Sequence, residues 1–224
     1  MVKRFFWVIL SGILFMAMLG NSVFSQYRLR NAFSRAREQL MLIASSGVLL
    51  IDVEALLSVP LVQSGEGSPE YQQISRQLEK IKQLNSSIKY VYIMMPADEP
   101  GFMQYVVDAD PVPEIITAHC PTSLPGDKYD ARNLPGVMSA FDGPSADNNI
   151  NYDAWGVFIS GYAPIRNNEG KPVAILGVDF DGTFMQDLQK KARKSAIAAL
   201  LTGVLFLVSF LTLKSRRILA GLKS

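Results

Sequence analysis

Two long apolar runs bracket the chain. Residues 5–24 and 196–213 carry no charged side chain. A helix needs roughly 20 apolar residues to cross the hydrocarbon core of a bilayer. The first run meets that length, and the second reaches it when its flanking basic residues snorkel. Lys3 and Arg4 precede the first run, Lys190, Lys191, Arg193 and Lys194 precede the second, and Lys214, Arg216 and Arg217 follow it. Apolarity all round with basic borders predicts membrane-spanning helices rather than the buried core helices of a soluble protein. A cleaved signal peptide is the other reading of the first run, with Val23, Phe24 and Ser25 before a cut at Gln26. The run is longer than the usual apolar region of such peptides, about 7–15 residues.

Between the runs the period changes several times. Leu29, Phe33, Ala36, Leu40, Ile43, Gly47 and Leu50 alternate spacings of four and three, a heptad seam. That seam suits either packing onto the protein's own sheet or a parallel contact with the same helix of a second copy. Pro60 ends the pattern, and residues 63–68 read as a Gly/Ser-rich loop. Ser68, Pro69 and Glu70 then form a helix start, with an N-cap hydroxyl, proline at the first helical position and an acid in the first turn. Tyr71, Ile74, Leu78 and Ile81 make the buried stripe of that helix. Residues 90–95 are apolar on both faces, as in a central strand, and residues 102–108 form the returning strand after a turn at 96–101. Residues 109–155 lose all period and are rich in Pro, Gly, Asp and Asn. Their aromatic content predicts an ordered, partly helical cover. Strands follow at 157–165 and 173–180, joined by a hairpin turn, and a last helix starts near 181–183 and continues into the second apolar run.

This order predicts an α+β domain: an antiparallel sheet with a long N-terminal helix, flanked by two transmembrane helices. The segment between the runs has the size of one ordinary domain. Two spans around one domain place both termini on one side. The basic residues of the short tails favour cytoplasmic termini, although Arg28, Arg30, Arg35 and Arg37 pull the other way, and charges attached to a long translocated domain count for less. The net charge of +2 is nearly balanced. The basic excess gathers at the membrane borders, which marks a membrane surface and not a nucleic-acid footprint. Cys120 is the single cysteine, so no disulfide can close within the chain.

The run from Trp155 through Gly161, Tyr162, Ala163 and Pro164 to Arg166, then Gly170, Lys171, Pro172 and Val173, then Leu176 to Asp179, resembles the closing hairpin of extracytoplasmic PAS-like Cache (PDC-type) sensor domains. Tyr90, Val91 and Tyr92 with Tyr105, Val106, Val107 and Asp108 resemble the opening hairpin of that family, and residues 125–129 resemble part of its cover. The resemblance implies a bacterial inner-membrane receptor, usually dimeric, that binds a small molecule between sheet and cover. Its implied organisation is a cytoplasmic tail at 1–4, a first span at 5–24, a Cache sensor domain at 25–194, a second span at 195–213 and the start of a HAMP-like linker at 214–224. The family's outputs are kinases, chemotaxis domains or cyclic-dinucleotide enzymes. Here the output is expected beyond Ser224 or in a partner protein, and the expected dimer contact is the N-terminal helix.

A small-molecule pocket needs apolar walls and a few convergent polar groups. Strand alternation places Phe158, Ser160 and Tyr162 on one face, Gln104, Val106 and Asp108 on one face, and Ile175, Gly177 and Asp179 on one face. An acid inside or ending an apolar strand is costly unless paired or bound. Asp108 and Asp179 are therefore the leading ligand contacts, suited to an amine or amino-acid-like molecule, with turn capping as their structural alternative. Trp155, Tyr162, Ser160, Tyr92 and Tyr105 are candidate walls, and Asp127 and Tyr129 could close the pocket from the cover. Core packing and an exposed loop are the structural alternatives. His119 and Cys120 are the one pair with catalytic or metal-ligand chemistry, but adjacent loop residues seldom face each other and no metal-ligand spacing supports them. No enzyme activity, metal or cofactor is expected. The expected function is ligand sensing outside the cytoplasm with transmission through the spans. A protein-interaction module without a small ligand is the alternative, and a membrane-tethered hydrolase using His119 is a third.

Overall fold

The structure, a computed structural model, describes residues 2–111, 122–153 and 155–221. His119 and Cys120 lie outside the described residues, as does the end of the HAMP-like segment at Leu222. The chain divides into two compact units, Ser34–Thr183 and Met1–Phe33 with Phe184–Ser224.

The second of these units holds the apolar part of helix α1 (Val2–Val48) and nearly all of α5 (Thr183–Gly221). Both helices are long and apolar enough to cross a membrane. Their large apolar side chains, among them Trp7, Ile13, Leu200 and Leu201, are exposed rather than packed in a protein core. Phe15 stacks on Phe206 with ring planes 7° apart.

In the unit Ser34–Thr183, α1 continues to Val48 and gives way to a short helix α2 (Val53–Leu57). The helical pattern expected to run to Pro60 therefore breaks earlier. The reason is local: the Asp52 carboxylate accepts from the Ala55 amide at 3.1 Å and starts a new helix. The residues expected to loop at 63–68 instead form a 3-10 turn, Gln63–Gly67. Helix α3 (Pro69–Gln83) begins as its sequence demands, with the Ser68 hydroxyl accepting from the Tyr71 amide, and it buries Tyr71, Ile74, Leu78 and Ile81.

Seven strands form one antiparallel sheet: β1 (Ile88–Pro96), β2 (Phe102–Asp108), β3 (Lys128–Asp130), β4 (Ser145–Ala146), β5 (Asn151–Asp153), β6 (Gly156–Arg166) and β7 (Pro172–Asp181). Their order is β3-β2-β1-β7-β6-β4, with β5 also paired to β6. The central strands β1 and β7 are apolar on both faces because both faces are covered. One face carries α1 and α3. Ala36, Leu40, Ala44 and Gly47 of α1 are buried, whereas Leu50 is exposed. Ala44 takes the place of Ile43 in the expected seam. A straight α-helix drifts relative to a strict seven-residue repeat, so a flat sheet meets a 3.6-residue stripe instead. Gly161 of β6 allows the helix to approach: a Cβ there would lie 2.5 Å from the Leu40 Cβ. The other face is covered by residues from 122–153, which include the short helix α4 (Pro135–Ser139). Val137, Ala140 and Ala131 of this cover pack on Met94, Met103 and Ile175 of the sheet.

One strand departs from simple alternation. β2 pairs with β1 as Met94↔Tyr105 and Ile93↔Val107, so Val106 is an extra residue, a β-bulge. Gln104, Val106 and Asp108 therefore do not share a face as alternation predicts. The bulge resets the phase and brings Asp108 to the same side as Tyr105.

Candidate functional site

The covered face carries a pocket built from four strands and the cover. β1 contributes Tyr90 and Tyr92, and β2 contributes Tyr105 and Asp108. β6 adds Phe158, Ser160 and Tyr162, and β7 adds Asp179. The cover closes it with Tyr129, Asn151, Asp153 and Trp155.

At the floor, Tyr92 donates its hydroxyl hydrogen bond to Asp179 Oδ1 at 3.1 Å. The register makes this possible. Tyr92 lies opposite Gly177 and Tyr90 opposite Asp179. The Tyr92 ring lies over Gly177, where a Cβ would collide with the ring carbons. Ser160 lies opposite Asp179 on the other side of β7.

The walls are aromatic. Tyr105 contacts Tyr92, Tyr129 and Trp155 with ring centroids 5.8, 6.0 and 6.3 Å apart, each edge to face. Tyr90 meets Phe158 edge to face at 5.5 Å. Such contacts fix the rings against one another.

The acids differ in how they are satisfied. Asp108 accepts from the Asp110 amide at 2.8 Å and the Ser123 hydroxyl at 2.6 Å, while its carbonyl accepts from the buried Tyr71 hydroxyl. It caps the exit from β2 as well as lining the pocket. Burial pushes its pKa up to about 6, against the opposing pull of the Ser123 and Asp110 hydrogen bonds. Asp153 accepts from the Trp155 and Gly156 amides, and burial raises its pKa as well. Asp179 is likewise raised well above the usual carboxylate range. Burial dominates, the charges of Asp147 and Asp153 add to it, and the Ser160 and Tyr92 hydroxyls pull back.

Eight of the nine residues expected from sequence line this pocket: Asp108, Asp179, Trp155, Tyr162, Ser160, Tyr92, Tyr105 and Tyr129. Asp127 is placed elsewhere. It accepts from Thr122, the Leu124 amide and Gln63, and so ties its own loop together. A short carboxylate beside free amides in a tight turn is satisfied locally before it can reach a cavity.

Sequence reasoning missed Asp147 beneath the pocket. It accepts from the Ser160 amide at 3.0 Å and from Asn151 at 2.7 Å, and the Tyr162 hydroxyl lies 3.4 Å away. Burial pushes its pKa up to about 6. Asp147, Asn151 and Asp153 belong to the aperiodic cover, where no repeat distinguishes a buried acid from an exposed one. Among the described residues, no group of acids, cysteines or histidines could hold a metal ion.

No family model matches the chain, and no curated protein matches its sequence. Solved structures do. The sensor domain of the Vibrio cholerae histidine kinase DctB superposes with a TM-score of 0.52 at 12% identity, covering 79% of this chain and 59% of that one. The ligand-binding domain of the Campylobacter jejuni chemoreceptor Tlp3, in complex with 4-methylisoleucine, matches with a TM-score of 0.48 at 13% identity over 78% of this chain and 63% of that one. The ligand-binding domain of the Pseudomonas aeruginosa amino-acid chemoreceptor PctC, in complex with GABA, gives 0.39 at 16% identity, covering 75% and 60%. The chain thus spans less than two thirds of the length of these domains. The fold is the α+β, PAS-like fold of Cache-type sensor domains, carried on a chain with two helices able to span a membrane.

Proposed function

We propose that this protein is a two-pass membrane receptor of the bacterial inner membrane, whose extracytoplasmic domain binds a small molecule in the pocket over Asp179. Asp179 carries this reading. It is a carboxylate buried on a central strand, walled by aromatic rings, with other acids as its strongest charged neighbours. A fold does not keep such a group for stability, because an apolar residue there would cost less. The likeness of the fold to the DctB sensor domain supports the same reading. No reaction is assigned to the domain.

Transmission follows from the chain path. β7 ends at Asp181 and α5 begins at Thr183, so the strand that bears Asp179 leads directly into the helix of the second span. A ligand that draws Asp179 and the cover together biases the start of α5, provided it binds two states unequally. The signal passes to a cytoplasmic output, and a second copy docks along the part of α1 that the sheet leaves exposed.

The test is a thermal-shift screen of the full chain in lipid nanodiscs against amines, amino acids and organic acids. A ligand at 100 times its Kd stabilises by about 2.7 kcal/mol, a shift of roughly 5–10 °C for a domain of this size. Asp179→Asn should abolish the shift while the protein stays folded. Failure of every small molecule, with retained capture of a partner's extracytoplasmic domain, would replace this reading with that of an interaction module.

A further inference from the structure

The two apolar helices hold each other in a fixed register. Phe206 of α5 fills the notch at Gly12 of α1, where a Cβ would lie 3.1 Å from its ring. Phe15 of α1 fills the notch at Gly203, where a Cβ would lie 2.8 Å from its ring. The later residue on α1 meets the earlier one on α5, so the helices run antiparallel. The stacked rings of Phe15 and Phe206 fall near the middle of the apolar runs 5–24 and 196–213, and so mark the depth of the bilayer centre.

Height above that centre follows from the helical rise. At about 1.5 Å per residue, Arg28, Arg30, Lys190, Lys191, Arg193 and Lys194 stand roughly 14–23 Å from the rings, at the end where the chain passes to and from residues 34–183. The hydrocarbon core ends roughly 15 Å from the centre, and the headgroups end roughly 20–22 Å from it. Cations from two helices therefore share the headgroup layer, and Asp187 is the one acid among residues 24–33 and 184–206. Exposed Phe24 and Tyr27 lie at the same depth, where aromatic side chains favour the interface.

The cations surround the helix pair and do not converge on one pocket. Ala192 and Ser195 of α5 are buried, as is Ser22 of α1. At about 100° per residue, Lys191 and Arg193 flank Ala192 on its two sides, while Lys190 and Lys194 point away from it. Arg28 and Arg30 leave α1 on opposite sides of the line through Ser22. All of these cations are exposed. Lys190 pairs with Asp187 at 3.7 Å, and the Arg28 guanidinium lies 5.9 Å from the Phe24 ring centre. Arg30, Lys191, Arg193 and Lys194 make no ion pair among the described residues. With the domain outside the cytoplasm, such a belt works against the positive-inside rule, so membrane insertion does not account for it.

We propose that this collar binds the phosphates of anionic lipid headgroups in the outer leaflet. Charges facing every side of a helix pair fit a surface of headgroups, each supplying its own phosphate. A single soluble phosphate would need convergent donors instead. The proposal rests on the two-pass reading above and is independent of the pocket.

The test is electron spin resonance of the full chain in phosphatidylcholine vesicles carrying a trace of spin-labelled phosphatidylglycerol or spin-labelled phosphatidylcholine. The immobilised fraction of each label gives its relative affinity for the protein surface. Phosphatidylglycerol should be preferred, and the combined variant Arg30→Gln, Lys191→Gln, Arg193→Gln and Lys194→Gln should lower that preference about threefold or more. Arg30→Lys with Arg193→Lys keeps the charge and should keep the preference. Concentrated sodium chloride should reduce the preference of the unaltered chain, a reading that needs no variant. An unaltered chain that shows no preference, or one indifferent to salt, overturns the proposal. So does a neutralised variant that retains the full preference. Release of labelled phosphatidylglycerol by millimolar inorganic phosphate, but not by chloride of equal ionic strength, would show a site for soluble phosphate and overturn the lipid assignment. Failure of the chain to enter the vesicles at all would instead overturn the two-pass reading.

Discussion

The Tyr92 hydroxyl reaches Asp179 because Gly177, two residues before the acid on β7, leaves the space that the Tyr92 ring fills. Gly177→Ala should therefore act on the pocket and not on the strand alone. The added methyl group meets the ring carbons of Tyr92, and overpacking of this kind costs about 1–3 kcal/mol. Urea denaturation should show that loss. The same variant should weaken ligand binding, since the displaced ring no longer holds Asp179.

Stability should fall as pH rises from 4 to 7. Asp108 and Asp147 have folded pKa values of about 6 against an ordinary 3.8, so between these values the folded state binds more protons than the unfolded one. Unfolding free energy then decreases with pH across that window, by at most roughly 3 kcal/mol per group. Asp179 and Asp153 act in the same sense. Asp130 and Asp181, held below the usual range by surface contacts, act oppositely but are screened by solvent. Melting temperature measured at pH 5 should exceed that at pH 7. Asp108→Asn should flatten the slope, because the Ser123 hydroxyl can turn to serve an amide.

Ser68→Ala removes the side chain that accepts from the Tyr71 amide at the start of α3. The expected loss is about 1 kcal/mol, read by chemical denaturation. Ligand affinity should change little, since the α3 residue Tyr71 touches a lining residue through its hydroxyl on the Asp108 carbonyl, which the lost cap does not remove.

Leu40→Ala opens a void between α1 and Gly161 of β6, where Leu40 is fully buried. A loss of about 2–5 kcal/mol is expected. Hydrogen exchange should increase in residues 36–48 before it increases in β1 and β7, if α1 loosens from the sheet as a unit.

Much of this architecture is written in local pattern. The two apolar runs, the stripe Tyr71, Ile74, Leu78 and Ile81, the bounds of β2 and the hairpin of β6 and β7 follow from period, capping and turn residues that each segment carries within itself. Asp179 was conspicuous for the same reason, as an acid in an otherwise apolar strand. What pairing decides is not written there. The bulge at Val106 moves Asp108 into phase with Tyr105, and the bulge at Lys89 turns its ammonium onto Phe158. Both depend on register with a neighbouring strand, and no residue in β2 or β1 alone encodes that register. Asp147 is buried because β4 pairs with β6 and lays it against Ser160 and Tyr162. Local sequence thus determined the elements and marked the acid that lines the candidate pocket from β7. Tertiary pairing determined which aromatic rings and which other acids surround it, because side-chain facing across a sheet is a property of two strands at once.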